Sequence, residues 1–304
     1  MRLSRPGLAR GSSNLFHFGA FPAPRDSTSP AFHATIRSAG GKGPAITSIR
    51  DTTEGGHEGP CAQPCLALLF APGGRPAAEQ VRAALTAGAI GEVSFDPART
   101  IPPTTPSDWL EVLIDGLTFD VLGLAPGHAL TLPPPRHRLG LAPLDMARSE
   151  AIGLAPGPHL AGAANALPVV RTLLRLGTAV ARHLPGTLGV HWLPSGSATG
   201  RAIFLETVEA WLAGGAFPVP VVAGFETLRD GSLASDGLAF FTGQEFELDP
   251  ALCTDRLAAT RVGIRLFDRL VEHHPVHGVT RLALEDGGRI RLVGDGRIVK
   301  VAPG

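Results

Sequence analysis

The stretch Leu188–Leu212 constrains this chain more than any other. Leu188-Gly-Val-His-Trp192 is a short strand, Pro194-Ser-Gly-Ser-Ala-Thr-Gly200 a loop of small residues, and Arg201–Leu212 a helix. Ile203, Val208, Trp211 and Leu212 can share one core-facing side of that helix. A strand, a glycine loop and a helix in succession present backbone N–H groups to an anion. Any strand also hands over to a helix in this way, so the unit implies a mixed α and β fold before it implies a ligand.

The flanking chain has the same mixed character. Leu66-Ala-Leu-Leu-Phe70, bounded by Pro64 and Pro72-Gly73-Gly74, suits a buried strand. Pro76 opens a helix over Ala78–Ala87 that stops at Gly88. Ile90–Phe95 reads as a strand, and the prolines at 97, 102, 103 and 106 exclude a regular element there. Trp109–Leu124 is the clearest hairpin, with Asp115-Gly116 as a two-residue type I′ turn. Ala125–Pro143 is Pro-rich and expected to be irregular, with Arg136-His-Arg138 in a solvated loop. Ala151–Ala155 is a short strand. A helix runs from Pro168 to about His183, with Val170, Leu173, Leu174, Gly177, Val180 and Ala181 on its apolar face. Arg171, Arg175 and Arg182 fall on its polar stripe.

After Leu212 the expectation is a long strand over Phe217–Arg229, a partner strand at Leu238–Phe241 and an extended Gly243–Leu248. A helix capped at Thr254 runs to about Glu272. Val279–Glu285, Ile290–Val293 and Ile298–Val301 are three short strands separated by glycine turns. The fold class is therefore α+β: a mixed, mainly antiparallel sheet in one domain over residues 61–304, with helices packed on one face. Residues 1–60 are rich in Ser, Gly, Pro and Thr and lack apolar periodicity, which predicts a disordered or mis-called leader.

Charge narrows the function. Lys+Arg 27 balances Asp+Glu 27, which argues against broad nucleic-acid or anionic-membrane binding. No apolar run is long enough to span a bilayer. Three cysteines, Cys61, Cys65 and Cys253, make no disulfide framework, so a reducing compartment is expected.

Few residues suggest chemistry. Ser195, Gly196, Ser197, Thr199, Gly200 and Arg201, with His191 nearby, could seat a phosphate or carboxylate on N–H groups, hydroxyls and a guanidinium. The loop lacks the spacing and Lys of a P-loop, and it has Ala198 where a nucleophile elbow needs Ser. His273-His274-Pro-Val-His277 could share a metal, but Pro275 breaks the helix that would align His273 with His277. No catalytic residue, metal or cofactor is expected.

The order of elements resembles a bacterial family, the domain of unknown function family 4261. The likeness rests on Trp109-Leu-Glu-Val-Leu-Ile-Asp-Gly-Leu-Thr-Phe-Asp-Val-Leu-Gly-Leu124, on Leu188-Gly-Val-His-Trp-Leu-Pro-Ser-Gly196 and on Asp236-Gly-Leu-Ala-Phe-Phe-Thr-Gly-Gln-Glu-Phe-Glu-Leu248. The resemblance implies a bacterial, cytoplasmic, mixed α and β protein and brings no catalytic residues. Two functions remain in view. One is a non-enzymatic protein-interaction or adaptor domain, with Arg171, Arg175 and Arg182 facing an acidic partner. The other is a binder of a small phosphorylated or carboxylated ligand at Ser195–Gly200.

Overall fold

The computed structural model describes residues 63–100, 108–146, 148–273, 275–284 and 288–304. The leader expected over residues 1–60, Cys61 and His274 lie outside them. The described residues form one compact unit.

The first half of that unit contains β1 (Leu66–Phe70), α1 (Ala78–Gly88), β2 (Glu92–Phe95), the single turn α2 (Pro97–Thr100), β3 (Trp109–Ile114), β4 (Leu117–Leu122), β5 (His137–Leu139), β6 (Glu150–Pro156) and α3 (Leu167–His183). Then come β7 (Thr187–Trp192), β8 (Ser197–Gly200), α4 (Arg201–Leu212), the turn α5 (Val219–Val222), β9 (Gly224–Thr227), β10 (Leu233–Asp236), α6 (Leu238–Thr242) and β11 (Glu245–Leu248). The chain ends with α7 (Arg256–His273), β12 (Gly278–Ala283), β13 (Arg289–Gly294) and β14 (Ile298–Pro303).

The fold is α+β, but its strands form two sheets where one was expected. Eight strands run in the order β2-β3-β4-β6-β1-β7-β8-β5, and six in the order β12-β13-β14-β11-β10-β9. Among the described strands only β5–β8 and β11–β14 pair in parallel. The division falls where the long strand expected over Phe217–Arg229 breaks. Pro218 and Pro220 fit a helical turn, and α5 takes Val219, Val221 and Val222 into the core instead of a ladder.

β1 lies at the centre of the larger sheet, between β6 and β7. Its side chains alternate. Leu66, Leu68 and Phe70 enter the main core, while Ala67 and Leu69 join a smaller cluster with Ala151. Helices α1, α3 and α4 build the first side, and α3 carries its whole expected apolar face buried. Leu132, Leu141, Leu144 and Met146 cover the second. The Pro-rich segment, irregular as expected apart from β5, is thus a strap across the sheet. Each large side chain buried on either side contributes about 1.5–3 kcal/mol.

An aromatic chain joins the two sheets. Trp192 of β7 packs edge-on against Phe240 at 5.4 Å and stacks on Phe241 at 6.4 Å. Phe241 meets Phe217 at 5.4 Å and Phe267 of α7 at 6.2 Å. Phe240 and Phe241 sit on α6, which was expected to be a strand. The cause is Glu245, whose carboxylate accepts from the N–H groups of Gly237 at 2.8 Å, Leu238 at 3.2 Å and Ala239 at 2.9 Å. Those are the donors that a helix start leaves unpaired. At α7 the capping residue is Asp255, not Thr254; its Oδ1 accepts from the N–H groups of Leu257 at 2.8 Å and Ala258 at 3.2 Å.

Candidate functional site

The stretch that organises the sequence forms a hairpin buried on both faces. β7 and β8 pair Trp192 with Ser197, His191 with Ala198, Val190 with Thr199 and Gly189 with Gly200. Alternation sends Trp192, Ser197, Val190 and Thr199 to the main core and His191 to the strap side, opposite Ala67. The expected seven-residue loop shrinks to a turn because β5 adds alongside β8, His137 opposite Ser197 and Leu139 opposite Thr199.

The glycines of the hairpin accommodate this strap. A Cβ on Gly200 would lie 2.1 Å from the carbonyl oxygen of Gly140, and one on Gly196 would lie 3.2 Å from Nε of Arg136. Gly196 also turns at φ +65°. Arg201 points away from the hydroxyls: it donates to the carbonyls of Ala181 at 2.7 Å and Arg182 at 3.1 Å, at the end of α3. That position complements the negative end of the helix dipole. The structure therefore brings Ser195, Gly196, Ser197, Thr199, Gly200 and His191 together on one hairpin and directs the Arg201 guanidinium elsewhere.

The polar side chains of the hairpin are sealed from water without partners. Thr187 Oγ1, both ring nitrogens of His191, Trp192 Nε1, Ser195 Oγ, Ser197 Oγ and Thr199 Oγ1 are buried and unbonded among the described residues. Each such group costs about 1–3 kcal/mol of lost hydration. Burial, with the nearby Arg136 charge, holds the His191 imidazole down at about 4, so it is neutral.

Arg136 and His137, expected in a solvated loop, instead close a clasp between the sheets. Arg136 Nη2 donates to Asp236 Oδ1 at 2.8 Å and to the Ser195 carbonyl at 3.1 Å. His137 Nε2 lies 2.9 Å from Asp236 Oδ2. The imidazole rests against Gly224, where a Cβ would fall 2.0 Å from His137 Cδ2. The Arg-His-Arg cluster was visible in the sequence; its acceptor, about one hundred residues away, was not.

The arginine stripe of α3 is occupied within the chain. Arg171 donates to the Leu212 carbonyl at 2.7 Å and lies 4.9 Å from the centre of the Trp211 ring. Arg175 pairs with Asp115 at 2.5 Å, and Arg182 with Glu209. Unpaired cations lie elsewhere, on the outer face of the six-stranded sheet. There Arg281 of β12 stands directly opposite Arg291 of β13, and Arg289 follows two residues along. None of the three side chains has a hydrogen bond or ion pair among the described residues. Lys300, on the same face, pairs with Glu247 at 2.6 Å. Val279 and Ile298 extend this face and are 60% and 41% exposed. The period-two placement of these arginines in Val279–Leu282 and Arg289–Leu292 was the missed sequence signal.

Two further features complete the survey. Asp120 of β4, 2% exposed, faces Glu111 across the hairpin. Burial first, and then the Glu111 charge, raise its carboxyl to about 6. His273 Nδ1 donates to the Arg269 carbonyl at 3.0 Å. Among the described residues no group of three His, Cys, Asp or Glu side chains could hold a metal, and no helix is long and apolar enough to cross a membrane.

No protein-family model, no curated protein and no solved structure matches the chain.

Proposed function

We propose that the chain is a non-enzymatic protein-interaction domain of the adaptor kind. One observation carries the reading: the side chains of Arg281, Arg289 and Arg291 stand unpaired among the described residues beside exposed Val279, on the same outer face of the smaller sheet as exposed Ile298. Like charges directly opposite on a sheet are destabilising, and a partner of opposite charge relieves them. The setting proposed is cytoplasmic and bacterial, with a protein partner and not a nucleic acid. Free Cys65 and Cys253 suit it. The test is cross-linking of the tagged full chain in its own cells, beside the Arg281→Glu/Arg291→Glu variant. A partner captured by the wild type and lost by the folded variant supports the reading. The same proteins on both, or none on either, sinks it.

A second reading keeps a small phosphorylated or carboxylated ligand at Ser195–Gly200. It is favoured by the unpaired Ser195, Ser197 and Thr199 hydroxyls and the Trp192 Nε1 donor, all buried on one hairpin. Thermal melting with inorganic phosphate, and separately with small dicarboxylates, tests it. Unchanged melting in every anion ends this reading.

A further inference from the structure

We propose that the open edge of β12 takes up an acidic, extended peptide segment of a protein partner as a seventh strand. The inference rests on the interaction reading above and specifies how the partner is held. Among the described residues β12 pairs only with β13, so one side of Gly278–Ala283 presents N–H and C=O groups without a described partner. The strand is exposed at every residue except Leu282. It is anchored at its base: buried Gln244 accepts from the Val276 N–H at 2.7 Å and donates to the carbonyls of Val276 at 3.1 Å and Gly296 at 2.7 Å. An edge that is both open and held in place suits strand addition, in which main-chain bonds give affinity and alternate side chains give specificity.

Charge selects the occupant. On the outer face the row nearest the edge is Val279, Arg281 and Ala283, and the next is Arg289, Arg291 and Val293. An added strand would set every second side chain beside these rows. Asp or Glu at two successive outward positions would neutralise the facing Arg281–Arg291 pair, and an apolar neighbour would cover Val279. A second copy of the chain fits poorly, since two β12 edges would bring their Arg281 side chains together. The chain's own leader fits poorly too. Over residues 1–60 Arg2, Arg5, Arg10, Arg25, Arg37, Lys42 and Arg50 outnumber Asp26, Asp51, Glu54 and Glu58, and none of these acids stands two residues from another, as successive outward positions of a strand require. A nucleic acid would use the arginines but neither the free backbone edge nor exposed Val279.

The experiment uses the full chain and a labelled synthetic peptide of about eight residues, a common strand length, alternating Glu with Thr and Val. Fluorescence anisotropy reads binding, and hydrogen exchange reads protection. The expected result is salt-sensitive binding that slows exchange at Gly278–Ala283. Arg281→Glu/Arg291→Glu should weaken it by about tenfold or more. If that variant fails to melt like the wild type, Arg281→Gln/Arg291→Gln replaces it with the same expectation. Equal binding to wild type and variant overturns the proposal, as does no binding. Tighter binding of a duplex oligonucleotide, or dimerisation that itself protects β12, overturns it in favour of that occupant. A cross-linked partner that depends on the arginines while β12 stays unprotected removes strand addition and leaves the interaction reading standing.

Discussion

His137 and Asp236 meet at 2.9 Å across two different sheets. Arg136 binds the other oxygen of the same carboxylate at 2.8 Å. One side chain on β10 thus holds the strap that covers the larger sheet. Asp236→Ala removes both contacts. The carboxylate is 28% exposed, so the cost is set at about 1–2 kcal/mol. Urea unfolding gives the loss, and hydrogen exchange over residues 136–141 should accelerate. Unaltered exchange there would mean that the clasp does not hold the strap.

Gly200 tests the strap from below. A Cβ at that position would lie 2.1 Å from the Gly140 oxygen, a contact between two backbones that no rotamer change relieves. Gly200→Ala should cost about 1–3 kcal/mol and loosen Leu141 from the sheet. Gly162 is the control: nothing lies within 4 Å of its added Cβ, so Gly162→Ala should stay within about 0.5 kcal/mol. Equal melting temperatures for the two variants would contradict the packing described.

How far the sequence could be read follows from how local each cause is. The β3–β4 hairpin follows its Asp115-Gly116 turn and α3 its apolar spacing, since these signals lie within a few residues. α4 and α7 form where expected, but Phe204 rather than Ile203 is buried on α4, and Leu257 of α7 is 55% exposed. α6 was missed because its cap comes from Glu245, beyond the segment it shapes. β5 was missed because three residues of a Pro-rich run become a strand only when β8 lies beside them. At the candidate site the seven residues lie close in sequence on β7, a turn, β8 and the start of α4, but the expected loop is half strand and His191 falls on the other sheet face from Ser197 and Thr199. The direction of Arg201 was not legible, since it depends on where α3 ends in space. The arginine face needed the β12–β13 register.

Glu245 offers a direct test of that distant cap. Its carboxylate serves three backbone donors and the Ser235 hydroxyl. Glu245→Ala leaves these donors unpaired and should cost about 2–3 kcal/mol. Phe240 and Phe241 would then lose their hold on Trp192, so the near-ultraviolet circular dichroism of the folded variant should weaken. An unchanged aromatic spectrum would show that α6 keeps its shape without the cap.

Asp120 and His191 should pull the pH dependence of stability in opposite directions. Folding raises the Asp120 carboxyl from 3.8 to about 6. Across that window the folded chain keeps a proton that the unfolded chain has released, so this group favours folding more as pH falls. Folding lowers the His191 imidazole from 6.5 to about 4. There the unfolded chain binds a proton that the folded one refuses, so stability is lost as pH falls from 6.5 towards 4. In the wild type the two slopes oppose each other between about 4 and 6. Either change is linked to about 3 kcal/mol, reduced to about 1–2 kcal/mol by screening. Asp120→Asn should therefore gain about 1–2 kcal/mol at pH 7 and lose more than the wild type on acidification. His191→Gln should lose less than the wild type over the same range. Urea midpoints from pH 4 to pH 7, taken as differences from the wild type, cancel the common contribution of the other carboxylates. Parallel profiles for all three proteins would show that neither group titrates differently on folding.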